Sequence, residues 1–266
     1  MILQKFALYP YSEETTQLYM KTTDNVVTDK EKVELKTLAK VNLETYFNLF
    51  SCLKWKKYVG VESVYLRLKL NGIVKVKIDH LQVKDGDVER HGVLDEEIQS
   101  DASGYVTSNE FTLPEKGMLG VIIEAVSESV LYEVDFSTDQ TGMEENDICI
   151  GIGICTFKRE KYVERNMNLL KEGILNNPAA EAYDHIKICI SDNAGTLEPE
   201  KIENPEIHVV KNKNLGGVGG FTRTMLEYLN GEEKISHVLL MDDDAIILPE
   251  TIERNYLFLK HLKKKY

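Results

Sequence analysis

His237-Val238-Leu239-Leu240-Met241 runs directly into Asp242-Asp243-Asp244. An apolar run of strand length that ends in three acids reads as a buried strand whose C-terminal end meets solvent. Side chains alternate along an extended chain, so Asp242 and Asp244 are expected to point one way and Asp243 the other. Two carboxylates side by side at the end of a buried strand are costly unless a positive charge joins them. A hard divalent cation, Mg²⁺ or Mn²⁺, does this and keeps coordination positions for the oxygens of a diphosphate. A solvated acidic turn is the plainer account of the same residues.

Working outward, the segment after residue 147 alternates strand and helix. Ile148 to Cys155 is a continuous apolar run, as a strand covered on both faces should be. Glu160 to Leu175 has helical spacing, with Val163, Met167 and Leu170 on one face. Ile186 to Ile190 and Glu206 to Val210 read as two more strands, Phe221 to Leu229 as a helix, and Ser236 to Met241 as the fourth strand. This order predicts a mostly parallel sheet with helices on both faces, where ligands bind beyond the C-terminal strand ends. The distinctive polar clusters all fall there.

The first strand ends in Thr156-Phe157-Lys158-Arg159, just before a helix. Two cations at a helix N-terminus oppose its dipole, a conflict that a bound anion would remove. Solvated surface cations are the alternative. The second strand ends in Ser191-Asp192-Asn193-Ala194-Gly195, where Asp192 could take hydrogen bonds from a base or ribose, or could cap a turn. The third leads into Asn212-Lys213-Asn214-Leu215-Gly216-Gly217-Val218-Gly219-Gly220-Phe221-Thr222-Arg223. This glycine-rich run lacks the Gly-Lys-Ser/Thr of a phosphate-binding P-loop. It also follows the wrong strand for a dinucleotide fingerprint.

Residues before about 143 have a different character. Val64, Leu66, Leu68 and Leu70 alternate with polar residues, then Asn71-Gly72, then Val74, Val76 and Ile78. That pattern predicts a hairpin turning at Asn71-Gly72. Leu119 to Ala125 and Val130 to Phe136 read as a second strand pair, Tyr46 to Leu53 as an earlier strand, and Glu31 to Val41 as the one helical candidate. The reading is an antiparallel β-sandwich or barrel at residues 1–143, followed by a Rossmann-like α/β domain at 147–266. Trp55 and the tyrosines could stack on sugars, but buried aromatics are the plainer reading.

Composition sets the bounds. The 266 residues carry a formal charge of −12, which excludes a general nucleic-acid surface but not a local anion pocket. Cys52, Cys149, Cys155 and Cys189 show no CxxC spacing and read as reduced thiols of a cytoplasmic protein. The N-terminus lacks the pattern of a signal peptide, and no apolar stretch is long enough to span a bilayer. The stretch Leu257 to Tyr266 reads as the continuation of a helix begun after Pro249. Its lysines suit a helix C-terminus, and the same basic face could touch an anionic membrane from the cytoplasmic side.

Taken together, Cys155-Thr156-Phe157-Lys158-Arg159, Ser191-Asp192-Asn193, Asn214 through Arg223 and Met241-Asp242-Asp243-Asp244 resemble family 2 glycosyltransferases of the GT-A fold. Among these they are most similar to bacterial galactofuranosyltransferases, which also place a β-domain first. The resemblance implies that Thr156 and Arg159 contact the nucleotide and Asp192 the uracil or ribose. It implies that the loop Gly216, Gly217, Gly219, Gly220, with Arg223, shapes the donor pocket. Phe157, Asn193 and Asp243 complete that set. Asp242 and Asp244 would hold Mn²⁺ or Mg²⁺ under the diphosphate of a UDP-sugar. The implied activity is inverting transfer of a sugar, galactofuranose, to a growing polysaccharide or lipid-linked glycan in building a bacterial surface. The family's catalytic base follows the metal triplet by a long stretch, so it is expected beyond Tyr266, and a chain cut there is expected to transfer sugar poorly. Two other readings remain, a sugar-phosphate nucleotidyltransferase and a non-catalytic carbohydrate-binding protein.

Overall fold

The computed structural model describes residues 1–9, 15–29 and 31–264. It divides into two compact units, Met1–Glu144 joined by the residues after Lys260, and Glu145–Lys260. The chain end does not follow the second unit: Lys263 N–H donates to Tyr58 O at 3.0 Å, and Lys264 N–H to Glu144 Oε2 at 3.0 Å. Lys265 and Tyr266, the end of the basic stretch, lie outside the described residues.

The first unit is an antiparallel sheet of eleven strands among the described residues. In chain order these are β1 (Ile2–Lys5), β2 (Lys21–Thr22), β3 (Val26–Thr28), β4 (Val33–Leu35), β5 (Lys40–Asn42), β6 (Phe50–Ser51), β7 (Ser63–Lys84), β8 (Asp87–Thr107), β9 (Phe111–Thr112), β10 (Met118–Ala125) and β11 (Ser129–Ser137). Alternation holds along β7 as far as Ile78: Val64, Leu66, Leu68, Leu70, Val74, Val76 and Ile78 are all fully buried. The expected hairpin at Asn71-Gly72 is absent, because β7 runs straight through it. Its turn lies at Asp85-Gly86, both with positive φ, where Lys84 pairs with Asp87.

Gly72 does something else. It has φ +115°, and a Cβ there would lie 2.8 Å from Glu128 O and overlap the Ser129 hydroxyl. The Ser127–Ser129 turn crosses β7 at this point, and Ile73 N–H donates to Ser127 Oγ at 3.2 Å and Ser129 Oγ at 3.1 Å. β10 and β11 therefore do not pair with each other. They occupy successive stretches of the same edge of β7, β11 along Tyr65–Asn71 and β10 along Val74–Leu81. The helical reading of Glu31 to Val41 is also overturned. Val33, Leu35 and Val41 are buried in β4 and β5, and apolar residues alternating with polar ones suit a half-buried strand. Of Tyr46 to Leu53, only β6 is extended.

The second unit has a four-stranded parallel sheet. The strands are β12 (Ile150–Thr156), β13 (Ile186–Asp192), β14 (Ile207–Lys211) and β15 (His237–Asp242), in spatial order β14-β13-β12-β15. The helices are α2 (Glu160–Leu170, prolonged by a π-helical turn to Leu175), α3 (Pro199–Ile202), α4 (Gly216–Asn230) and α5 (Pro249–Lys260), after the short α1 (Thr16–Tyr19) of the first unit. The helix after Pro249 ends at Lys260 rather than continuing to the terminus. The glycines are not in a loop: α4 begins at Gly216, so four of its first five residues are glycine.

The sequence of β12 explains how α4 is seated. Its isoleucines at 150, 152 and 154 face one side of the sheet, while Gly151, Gly153 and Cys155 face the other. A Cβ on Gly151 would lie 2.8 Å from the Tyr228 ring, one on Gly153 would overlap the Thr224 hydroxyl, and one on Gly220 would overlap Cys155 Sγ. Two strand residues rise about 6.6 Å and four helix residues about 6 Å, so the pairs 155/220, 153/224 and 151/228 stay in step. The absence of side chains on one strand face and at the start of the helix lets the two backbones approach closely. This brings the N-terminus of α4 to the C-terminal rim of the sheet.

Candidate functional site

Four chain segments converge on that rim. At the end of β12, the buried Thr156 hydroxyl donates to Asp243 Oδ2 at 2.8 Å. Asn193 N–H donates to Thr156 O at 3.0 Å, which ties the next strand end to the first. Asn193 Nδ2 donates to Gly216 O at 3.2 Å and contacts Cys155 Sγ at 3.3 Å, while Asn212 Nδ2 donates to Asn193 Oδ1 at 2.9 Å. One buried amide thus joins β12, β13, the loop after β14 and the start of α4. Desolvation, the largest cause, pushes the Cys155 thiol above its usual range, and the nearby Asp243 charge adds to the shift.

Asp192 acts within its own turn. Its Oδ1 accepts from the N–H groups of Ala194 at 3.0 Å and Gly195 at 2.8 Å, and its Oδ2 from Leu197 N–H at 2.9 Å. The side chain is buried, so the turn-capping reading describes it. Arg223 likewise turns along its own helix, its Nε 2.7 Å from Glu227 Oε1, rather than toward the rim.

The three acids separate. β15 ends at Asp242, so strand alternation does not extend across the triplet. Asp242 is exposed and in register with Cys155, on the face of the sheet where α4 lies. Asp243 is 7% exposed and held by Thr156, and its neighbour Asp244 is exposed. Arg159 bridges the last two: its Nη1 lies 3.3 Å from Asp243 Oδ1 and contacts Asp244 Oδ2. Among the described residues no three His, Cys, Asp or Glu side chains gather as a metal cage.

Sequence reasoning missed the clamp on this segment. Asn166, fully buried in α2, donates from Nδ2 to Asp243 O at 3.0 Å and Ala245 O at 2.8 Å, and its Oδ1 accepts from Ile247 N–H at 3.3 Å. Arg165 Nη2 donates to Asp244 O at 3.2 Å and Ala245 O at 3.0 Å. A polar Asn between Val163 and Met167 on the apolar face of α2 was the available signal. The exposed groups at the rim are the carboxylate of Asp242, that of Asp244 with its Arg159 partner, Phe157 and Lys158, and the first turn of α4. Leu215, which precedes that turn, makes no side-chain cap. The arrangement offers hard oxygen ligands beside two helix N-termini, which suits a cation joined to an anion.

Comparison with known proteins gives the following. Residues 4–120 match the family model "Galactofuranosyltransferase 2 N-terminal", and residues 151–265 match "Glycosyl transferase family 2". The galactofuranosyltransferase GlfT2 of Mycolicibacterium smegmatis is 21% identical over 229 residues, covering 85% of this chain and 35% of that protein. GlfT2 of Mycobacterium tuberculosis is 23% identical over 234 residues, covering 81% of this chain and 34% of that protein. The chain thus spans about a third of the length of these curated relatives. Among solved structures, the CBM22-1 xylan-binding domain of Paenibacillus barcinonensis Xyn10C aligns with a TM-score of 0.31 and 11% identity, over 53% of this chain and 97% of that one.

Proposed function

For a galactofuranosyltransferase-like protein that joins these two domains, we propose that the second unit binds the nucleotide-sugar donor of a glycosyl transfer at the C-terminal rim of its sheet. The donor is a UDP-sugar, UDP-galactofuranose, and the acceptor a growing glycan or lipid-linked glycan. One observation carries the reading. Two exposed carboxylates, Asp242 and Asp244, stand at and just after a strand end, and the guanidinium of Arg159 already pairs with the second of them.

That donor set fits Mn²⁺ or Mg²⁺. Both carboxylates supply hard oxygens, and Arg159 is a stand-in positive charge on one of them. With only two such carboxylates, the remaining ligands would come from the diphosphate and water. When bound, the ion would neutralise the departing nucleoside diphosphate. The chain's own contributions are separate. Asp243, fixed by Thr156 and Arg159, holds the acidic segment in place, and Asn166 and Arg165 hold its backbone. The glycines of α4 leave room for a phosphate to approach the helix N–H groups, which favour negative charge. Asn193 ties the strand ends to one another and to the start of α4.

Calorimetric titration with UDP, UDP-galactofuranose and dTDP-rhamnose, with and without Mn²⁺, tests the proposal. UDP and UDP-galactofuranose are expected to bind in the presence of Mn²⁺. Replacing Asp242 and Asp244 together by Asn should weaken that binding at least about ten-fold, as expected on removing charged hydrogen-bonding groups. Unchanged nucleotide affinity and unchanged Mn²⁺ dependence in the double variant would remove the basis of the reading.

A further inference from the structure

We propose that Arg159 is an exchangeable counter-ion of the acidic rim, holding Asp244 in the absence of a divalent cation and moving to the donor's phosphates when the cation takes its place. The proposal deepens the donor-binding reading and rests on it.

The geometry supports exchange rather than a fixed bridge. A single nitrogen, Nη1, makes both carboxylate contacts. The guanidinium has five donors, so this pairing is well short of the bidentate fit that makes such pairs strong. The Arg159 side chain is 48% exposed and that of Asp244 52%, so separating them uncovers little buried charge. Asp243 is different, because it is buried and keeps the Thr156 hydroxyl when the arginine leaves. Arg159 is also the only ion-pair partner of Asp244 among the described residues. A cation cannot use that carboxylate fully while the arginine stays.

The position of Arg159 supplies the second half. It stands at the N-cap of α2, with no side-chain cap bond. A cation there opposes the helix dipole, which the carboxylates now offset. A divalent ion on Asp242 and Asp244 would leave the arginine without that offset, and a diphosphate beside the same helix end would restore it. The planar fork of arginine suits phosphate oxygens for the same geometric reason that it suits carboxylates.

Exchange makes two effects of opposite sign, which a purely structural role for Arg159 does not. Titrate Mn²⁺ alone, then UDP at saturating Mn²⁺, into the unaltered protein, Arg159→Gln and Arg159→Lys. Without nucleotide, Arg159→Gln should bind Mn²⁺ about five-fold more tightly, the scale of one exposed ion pair. With Mn²⁺ present it should bind UDP about ten-fold more weakly, the scale of a lost charged hydrogen bond. Arg159→Lys, which keeps the charge, should stay within about two-fold of the unaltered protein for Mn²⁺ alone. Mn²⁺ affinity unchanged or weakened in Arg159→Gln, while the unaltered protein still binds UDP with Mn²⁺, overturns the exchange and leaves the donor reading standing. No UDP binding by the unaltered protein overturns both.

Discussion

The carboxylate of Asp243 receives a hydroxyl from Thr156 and a guanidinium from Arg159, while the carbonyl of the same residue receives the amide of Asn166. Side chain and backbone are thus fixed by different elements, which leaves Asp242 open to a ligand and Asp244 held by Arg159. A neutral hydrogen bond such as that of Asn166 contributes about 1 kcal/mol net, and an orphaned buried partner costs about 1–3 kcal/mol. Thr156→Val is therefore expected to destabilise the second unit by about 1–2 kcal/mol, and Asn166→Ala, which orphans Asp243 O and Ile247 N–H and leaves Ala245 O to Arg165 alone, by about 3 kcal/mol. Urea denaturation followed by a signal from the second unit measures both. Equal effects from the two would show that the clamp on residues 243–247 does not act through Asn166.

At the scale of elements, the contact between α4 and β12 is the decisive one. Gly220 abuts Cys155 so closely that a methyl group at 220 has no room unless the sulfur moves. Gly220→Ala is expected to cost about 2 kcal/mol, as overpacking of a tight site does, and to lower nucleotide affinity by displacing the first turn of α4. Adding Cys155→Gly opens the space, so the double variant should recover at least half of that loss, and a double-mutant cycle reads the coupling. Strictly additive losses would show that the two residues do not press on one another. The same logic applies in the first unit at Gly72, where the strand and the Ser127–Ser129 turn meet backbone to backbone. There a dipeptide with the composition of a hairpin turn serves as a crossing point inside a long strand. Local composition does not distinguish the two uses, because positive φ and the absence of a side chain satisfy both.

At the scale of the whole molecule, the formal charge of −12 bears on how a cation and an anion reach the same rim. The net field attracts Mn²⁺ and repels a free nucleotide. Raising ionic strength from about 0.02 M to about 0.2 M should weaken Mn²⁺ binding several-fold, since the screening length shrinks from about 20 Å to about 7 Å. UDP binding without metal should strengthen over the same range. Parallel titrations at several salt concentrations check both slopes, and a common sign would show that local charges outweigh the net field. No helix among the described residues is long and apolar enough to cross a membrane.

The strand-helix alternation of the second half, the alternation of the first, and the grouping of polar clusters at strand ends were all legible in the residues. Periodicity is a local consequence of which faces are buried, so it survives without knowledge of the partners. The partners themselves were not legible. Asp192 has the composition of both a ligand contact and a turn cap, and only the positions of three N–H groups chose the cap. Asn166 is 77 residues from Asp243, and no local pattern links a polar residue on one helix to carbonyl groups that far along the chain. The glycines of 216–220 looked like a loop because isolated helices disfavour glycine. Contact with β12 accounts for one of them, since a side chain at Gly220 would collide with Cys155. Chain-local chemistry thus determined the elements and the ends where chemistry gathers. Long-range packing decided which of those polar groups hold the scaffold together and which are left open to a ligand.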